Sequence, residues 1–309
     1  MSKQIEIVEV GPRDGFQNIQ EYIPAEKKVE VIEDLIDAGI KHMQITSFVS
    51  PSAIPQLQDA KEVVAAVLSK HQGQDLDLFA LIPNFRGAQN AKEAGLRKVT
   101  NVISLSTSHN MANIRRTHDQ SFAELEKIVT TLPDMEICLD IATAFGCPFE
   151  GKQRDVEPLL AFERRAYDLG VRTFTLCDTV GMADPKQVRD FVSATRQAFP
   201  DVRIEIHIHD TRGLGIACTL AGIEAGVDGV QSTLGGLGGC PFAPGASGNT
   251  STEDLVFMLN EMGCDTGIDF KKILAAAKKE FQVIEGNYSG ANIRVAHTID
   301  ELTEAPCIH

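Results

Sequence analysis

Long apolar segments are missing from this 309-residue sequence. The longest uncharged apolar runs, such as residues 63–68 and 274–277, are far shorter than the roughly 20 residues that a membrane-spanning helix needs. The N-terminus shows neither the apolar core of a signal peptide nor an arginine-rich transit peptide, and it enters an alternating strand pattern at once. We therefore expect a cytoplasmic protein with no membrane partner.

Positive charge is also scarce. The sequence has 29 Lys and Arg against 43 Asp and Glu, which gives a formal net charge of −14. Nucleic acids and anionic membranes both bind basic surfaces, so this balance argues against either partner. An anionic ligand would need a local patch of positive charge.

Cysteine pairs at metal or redox spacing are absent. The seven cysteines are scattered without a Cys-x-x-Cys pair, which fits reduced cytosolic thiols better than a disulfide framework or a cysteine-type zinc site. By contrast, hydrophobic residues make up 43% of the chain. This is enough to bury one large core or two medium ones, and it excludes a disordered chain.

One structural unit recurs along the chain: a short β-branched run, a polar loop and an amphipathic helix that ends in glycine. The eight candidate strands are residues 5–10, 41–46, 77–82, 98–104, 135–143, 172–177, 203–208 and 228–233. Parallel strands need crossover helices, and eight such units predict a closed (β/α)8 TIM barrel. An open doubly wound sheet is the alternative, but its Gly-x-Gly-x-x-Gly turn is missing after the first strand.

No second domain is evident in the sequence. After the last long helix pattern, residues 270–284, the chain becomes irregular and ends in a short tail. We predict a barrel domain over residues 1–285 and a C-terminal tail, residues 286–309, that packs on the barrel or on a partner subunit.

Candidate metal ligands lie where the strands end, which is where TIM barrels carry their chemistry. His207 and His209 alternate along one strand, so both imidazoles face the same side. A pair of core histidines would have the same spacing. Asp14, after the first strand, and Asn249, after the eighth, would add oxygen ligands at the same rim. Two nitrogen and two oxygen ligands favour Mg²⁺ or Mn²⁺ over a closed zinc site.

Other polar residues at this rim are candidates for catalysis or substrate binding. Arg13 is either a functional cation or part of a solvated turn, and Asp178 is either an inward carboxylate or a loop cap. Cys240 lies in a glycine-rich segment, residues 235–245, that suggests a mobile lid, although a buried packing thiol is the alternative. Further candidate substrate contacts are Gln17, Gln44, Thr46 and Asn84.

Several motifs together resemble the 3-hydroxy-3-methylglutaryl-CoA lyase family of metal-dependent barrel lyases. They are Val-Glu-Val-Gly-Pro-Arg-Asp-Gly-Phe-Gln-Asn at residues 8–18 and the segments 46–51, 145–151, 207–213 and 235–249. The Gly-Leu-Gly-Gly-Cys-Pro loop is the most specific, because related synthases and aldolases share the Arg-Asp and His-x-His motifs without it.

The resemblance implies a homodimeric lyase that splits a 3-hydroxy-3-substituted acyl-CoA into a keto acid and acetyl-CoA. It makes four residues the ligands of the divalent cation: Asp14, His207, His209 and Asn249. Arg13 would hold the thioester carbonyl, and Cys240 would be an acid on the mobile loop. Asp178 and His207 would assist in handling protons.

Two departures from the family pattern affect the expected substrate. Gln44 stands where the family usually has glutamate, and an amide can neither hold charge nor take a proton. Arg115 and Arg116 occupy the loop where lysines are expected, so they are candidate contacts for the CoA phosphates, or a solvated pair. Citramalyl-CoA, a longer branched glutaryl-CoA, or a barrel that has lost catalysis remain alternatives.

Overall fold

Eight parallel strands form a closed barrel in the computed structural model, which describes residues 5–239 and 248–295. The strands are β1 (Glu6–Glu9), β2 (His42–Ser47), β3 (Asp77–Ile82), β4 (Lys98–Ser104), β5 (Glu136–Ala142), β6 (Thr173–Asp178), β7 (Arg203–Ile208) and β8 (Gly229–Ser232). Each strand pairs with its neighbours in sequence, and β1 closes the ring by pairing with β8. The expected TIM barrel is confirmed, with each strand within one residue of its predicted ends.

Helices connect the strands. They are α1 (Ala25–Asp37), α2 (Ala60–Lys70), α3 (Phe85–Glu93), α4 (Thr107–Ile114), α5 (His118–Thr131), α6 (Glu157–Asp168), α7 (Pro185–Ala198), α8 (Gly215–Ala225), α9 (Thr252–Glu261) and α10 (Phe270–Val283). The glycines predicted to end helices, Gly39, Gly95, Gly170 and Gly226, all have positive φ. A glycine after the helix therefore reverses the chain into the next strand at these positions. Within the described residues, 5–239 and 248–295, no helix is both long enough and apolar enough to cross a bilayer.

The hydrophobic core is divided by the barrel wall. Most buried apolar side chains form one large cluster that includes Ile7 of β1 and Ile32 and Leu35 of α1. A separate small cluster contains Val8 and Val10, which alternate with Ile7 and so face the barrel interior. Buried polar side chains such as Glu205 and Gln231 also lie inside the barrel, below the rim where the strands end.

The first part of the C-terminal tail packs on the barrel. Asp254 of α9 accepts hydrogen bonds from the backbone nitrogens of Ala291 and Asn292, at 2.6 and 2.9 Å. The Tyr288 hydroxyl donates to the Ile284 carbonyl at 3.0 Å, and the backbone nitrogen of Gly238 donates to the Asn287 carbonyl at 3.2 Å. Residues 286–290 therefore support the start of the glycine-rich segment. Residues 296–309 lie outside the described part of the chain.

Candidate active site

The carboxyl ends of the strands open into a cavity of about 1000 Å³. Its inner end is lined by Arg13, Asp14, Asp140, Cys177, His207 and His209. Its outer part includes Tyr22, Ile54 and Arg116. Side chains within or just after β1, β5, β6 and β7 thus line one cavity.

A tight turn after β1 brings Arg13 and Asp14 into this cavity. Residues Gly11–Gly15 form one π-helical turn, in which the backbone nitrogen of Asp14 donates to the Val10 carbonyl at 2.7 Å. A Cβ on Gly11 would lie 2.6 Å from Glu9 Oε1, so the turn needs glycine there. Arg13 and Asp14 are only 6% and 7% exposed, which excludes the solvated-turn alternative.

Asp14, His207 and His209 present ligand atoms that all lie within 4.8 Å of one another. The Nε2 atoms of the two histidines are 3.1 Å apart. Asn249 joins the group, because its Nδ2 donates to Asp14 Oδ2 at 2.8 Å and an isolated β-bridge pairs it with His209. Asn249 Oδ1 is buried, with no hydrogen-bond partner among the described atoms. Two imidazoles, a carboxylate and an unsatisfied amide oxygen fit a Mg²⁺ or Mn²⁺ site.

A chain of polar side chains below the cluster fixes the His207 ring. Gln231 of β8 donates from Nε2 to Glu205 Oε2 at 3.0 Å, which orients its amide. Gln231 Oε1 lies 3.1 Å from His207 Nδ1. Because an amide oxygen only accepts, Nδ1 carries the hydrogen and Nε2 keeps its lone pair toward Asp14 and His209. Arg203 Nε in turn donates to Glu205 Oε1 at 2.8 Å.

The electrostatics of the cluster suit a cation. Burial would raise the pKa of the Asp14 carboxyl, but the charge of Arg13 and the neighbouring His207 and His209 lower that pKa to about 2. Burial, together with His207, lowers the pKa of His209 to about 3, and burial also lowers the pKa of His207. At neutral pH the cluster therefore presents one carboxylate and two neutral imidazoles, the forms that bind metal ions.

Arg13 is held between two side chains. Its Nε donates to Gln44 Oε1, and its Nη1 pairs with Asp14 Oδ1. Gln17 also reaches this group, since its Nε2 donates to Asp14 Oδ1 at 2.9 Å. The guanidinium is thus fixed at the edge of the ligand cluster, where it faces the cavity.

Comparison with known proteins identifies the family. A family model described as HMGL-like matches residues 4–279. This chain belongs to the HMGL-like family. Hydroxymethylglutaryl-CoA lyase YngG of Bacillus subtilis is 37% identical over 278 residues, which cover 89% of this chain and 92% of that protein. The (R)-citramalyl-CoA lyase of Chloroflexus aurantiacus is 38% identical over 284 residues, covering 88% and 89%.

A solved structure extends the likeness to the whole barrel. An HMG-CoA lyase from Acinetobacter baumannii, in complex with coenzyme A and 3-methylmalate, matches with a TM-score of 0.90. It is 38% identical in sequence, and the match covers 97% of each chain. The resemblance drawn from the sequence motifs is confirmed.

Two predicted substrate contacts of this HMGL-like chain lie outside the cavity lining. Gln44 is fully buried and contacts Arg13, so it acts on the arginine and not on the cavity. Thr46 is also buried, and the pairing of β2 with β3 shifts register between these two residues. Such a bulge interrupts the alternation of side chains along β2, so the position of the two residues near the end of the strand did not place them in the cavity.

Asn84 and Gln17 do line the cavity. Asn84 is the N-cap of α3, and its Oδ1 accepts from the backbone nitrogen of Gly87 at 3.0 Å. One lone pair of its oxygen is therefore engaged, and the rest of the amide group is left to contact a substrate.

Asp178 caps the loop that precedes α7, as in the second of the two interpretations given above. Its two carboxylate oxygens accept from the backbone nitrogens of Met182 and Ala183, at 2.8 and 3.1 Å. It does not line the cavity, and burial raises its pKa to about 6. The prediction that Asp178 handles protons at the substrate has no support in this geometry, because the loop before α7 needs both oxygens.

The two arginines after β4 are separated. Arg116 lines the cavity, and its Nη1 donates to the Pro83 carbonyl at 3.4 Å. Arg115 ends α4 in a left-handed conformation (φ 55°), is exposed, and does not line the cavity. Only one member of the predicted pair is thus placed to meet a ligand there.

Cys240 lies outside the described residues. The residues on either side of its segment are close together beside the cavity, since a Cβ on Gly248 would lie 2.6 Å from the backbone nitrogen of Gly239. Asn18 Nδ2 donates to the Gly239 carbonyl at 3.2 Å. Gly239 and Gly248 therefore lie close to Asn249, one of the candidate metal ligands.

Sequence reasoning missed two polar residues of the barrel interior, Gln231 and Asp140. Gln231 orients His207, and Asp140 of β5 lines the cavity while being only 3% exposed. The period of two along β5 and β8 was the available signal, since it places both side chains on the inner face.

Proposed function

We propose that this protein is a divalent-metal-dependent carbon–carbon lyase that cleaves 3-hydroxy-3-methylglutaryl-CoA, or a close 3-hydroxyacyl-CoA, to a keto acid and acetyl-CoA. The observation that carries the proposal is the convergence of Asp14, His207 and His209 beside a buried arginine, Arg13, at the inner end of a large cavity. Relatives that match most of this chain are lyases of hydroxymethylglutaryl-CoA and of citramalyl-CoA.

The proposed cation is Mg²⁺ or Mn²⁺, held by Asp14, His207, His209 and Asn249. Three of these residues present the clustered ligand atoms, and the unpartnered Asn249 Oδ1 supports the fourth. When bound, a divalent cation lowers the pKa of a coordinated hydroxyl and orients the substrate.

Arg13 acts on the thioester end of the substrate in this proposal. When the carbon–carbon bond breaks, its electron pair moves toward the thioester, which becomes an enolate. The guanidinium is already fixed by Gln44 and Asp14, so it stabilises this oxygen without reorganising. Cys240, on the glycine-rich segment, then donates a proton to the enolate carbon to give acetyl-CoA.

The outer part of the cavity receives the CoA portion. Arg116 supplies positive charge there, which provides the local exception to the net charge of −14. Arg115 would act only at the surface. A homodimer, a cytoplasmic location and a division between a barrel domain (1–285) and a tail (286–309) are further parts of the proposal.

A substrate panel tests the proposal. The purified protein, incubated with Mg²⁺ or Mn²⁺, should release acetyl-CoA from 3-hydroxy-3-methylglutaryl-CoA, citramalyl-CoA or a longer branched analogue, and EDTA should stop the release. The keto acid identifies the substrate, because acetoacetate comes from the first thioester and pyruvate from the second. No release from any thioester would contradict the proposal and favour a barrel that has lost catalysis.

A citramalyl-CoA lyase is the second candidate. It is favoured by the Chloroflexus aurantiacus relative, which is as similar to this chain as the hydroxymethylglutaryl-CoA lyases are. The neutral Gln44 beside Arg13 also favours an altered substrate, since it changes the charge around the thioester site. Comparison of kcat/KM for the two thioesters decides between the candidates.

A further inference from the structure

One carboxyl group in the cavity has no part in the reaction described so far. Asp140 of β5 lines the inner end of the cavity together with Arg13 and His207. Its Oδ1 is buried and has no hydrogen-bond partner in the described part of the chain. An unsatisfied carboxyl oxygen in such a place costs free energy unless a ligand or water contacts it. The Asp140 carboxyl therefore lies in the wall of the cavity with one oxygen that no described group engages.

The reaction needs a group that accepts the hydroxyl proton, and three candidates are unsuited to it. Gln44 is an amide and cannot take a proton. Asp178 binds two backbone nitrogens away from the cavity. His207 has Nδ1 bonded to Gln231 and Nε2 facing the metal ligands, so neither nitrogen is a free base.

Other titratable groups line the cavity, and among them Cys177 and His109 are less suitable. Burial raises the pKa of the Cys177 thiol well above its ordinary value, so the thiol stays protonated. The His109 ring lies 2.8 Å from the Ser104 hydroxyl, and burial lowers its pKa. The charge that acts on it is that of Glu150, between the short strands Gly146–Cys147 and Gly151–Lys152, and not that of a group in the ligand cluster. Asp140, by contrast, interacts electrostatically with Arg13 and Asp14 themselves.

We propose that Asp140 is a further catalytic residue, the general base that takes the hydroxyl proton of the 3-hydroxyacyl-CoA. The inference rests on the proposed lyase function. As the O–H bond breaks, its electron pair forms the ketone C=O, the carbon–carbon pair passes to the thioester enolate, and the Asp140 carboxylate gains the proton. The enolate carbon takes a proton from Cys240, and exchange with water returns both residues to their starting forms.

The charge environment of Asp140 supports this role. Burial raises its pKa to about 7, while the positive charge of Arg13 acts in the opposite direction. A base works best when its pKa lies near the operating pH. The titratable and charged groups that act on Asp140 are Arg13 and Asp14 after β1, Cys138 on its own strand, Cys177 on β6 and Glu205 on β7.

The test compares Asp140→Asn with wild type, using 3-hydroxy-3-methylglutaryl-CoA and citramalyl-CoA with Mn²⁺. The amide keeps the size of the side chain but takes no proton, so kcat should fall roughly 100-fold or more while KM changes little. Calorimetry should give an unchanged affinity for Mn²⁺, which separates a base from a metal ligand. Asp140→Ser should lose kcat in the same way and is an independent substitution at the position.

Glu163→Gln is the matched control, because it makes the same change at a buried carboxyl in α6, remote from the cavity. Its kcat should equal that of wild type.

The outcomes distinguish a failure of the lyase function from a failure of the role assigned to Asp140. If wild type cleaves neither thioester, nor any other of the panel, the lyase function fails and the role of Asp140 fails with it. If wild type is active and Asp140→Asn keeps kcat within twofold, the base is another group and the lyase function stands. A loss of kcat accompanied by an equal loss of Mn²⁺ affinity would also overturn the assignment.

Discussion

Replacing Gln231 by leucine tests whether the hydrogen bond to His207 sets the affinity for a divalent cation. Gln231 Oε1 lies 3.1 Å from His207 Nδ1, and both side chains are buried. Leucine keeps most of the volume but removes the acceptor, so the ring loses its fixed orientation and its Nδ1–H loses a partner. Glu205 loses the hydrogen bond from Gln231 Nε2 as well.

The expected loss of Mn²⁺ affinity can be taken from other metalloproteins, in which a hydrogen-bond partner orients a metal-binding histidine. Loss of such a partner weakens metal binding roughly 10- to 100-fold. This corresponds to about 1.4 to 2.7 kcal/mol. Isothermal titration of Mn²⁺ into the protein measures the effect directly and does not depend on the identity of the substrate.

Gln187→Leu is the control for this experiment. Gln187 of α7 is also buried, but it lies away from the ligand cluster. Its Nε2 donates to the Phe145 carbonyl at 2.9 Å. Its substitution should leave Mn²⁺ affinity unchanged even if it lowers the melting temperature. Wild-type affinity in Gln231→Leu would refute the reasoning that the Gln231 amide orients His207 for a cation.

Three further perturbations have defined outcomes. His209→Ala should abolish both Mn²⁺ binding and turnover, and a retained stoichiometric ion in elemental analysis would count against the ligand set. Cys240→Ser should reduce kcat much more than Mn²⁺ affinity, whereas unchanged kcat would remove this thiol from the mechanism. Burial raises the pKa of Glu163 to about 8 from 4.5, so its stabilising effect is complete below pH 4.5 and is lost as pH rises toward 8. Glu163→Gln should therefore flatten the decline of melting temperature over that range, and an unaltered slope would show that the carboxyl is not buried in its protonated form.

The barrel could be predicted from the sequence because its signals are local. Each strand is a short apolar run, and a glycine with positive φ follows α1, α3, α6 and α8. The convergence of Asp14 with His207 and His209 could also be expected, because alternation along β7 and closure of the barrel bring these side chains to one rim.

The direction of individual polar side chains could not be predicted in the same way. Asp178 ends its strand as expected, but the loop before α7 turns two backbone nitrogens toward its carboxylate. A bulge between Gln44 and Thr46 interrupts alternation on β2. The period of two along β5 puts Asp140 on one face of its strand, but strands of a parallel barrel are buried on both faces, so the hydrophobic pattern alone does not show which face is the inner one.

The contact between the C-terminal segment and the glycine-rich segment has a consequence for how such a barrel can diversify. A Cβ on Gly235 would lie 2.6 Å from the Tyr288 ring, and one on Gly236 would lie 1.9 Å from Ser289 Oγ. Gly235 and Gly236, the first residues of the glycine-rich segment, therefore pack against a part of the chain that belongs to no strand of the barrel. A change in the length of α10 or of the turn after it would shift this support beside the cavity. New acyl-group preferences could arise in this way while the metal ligands and the barrel wall stay as they are.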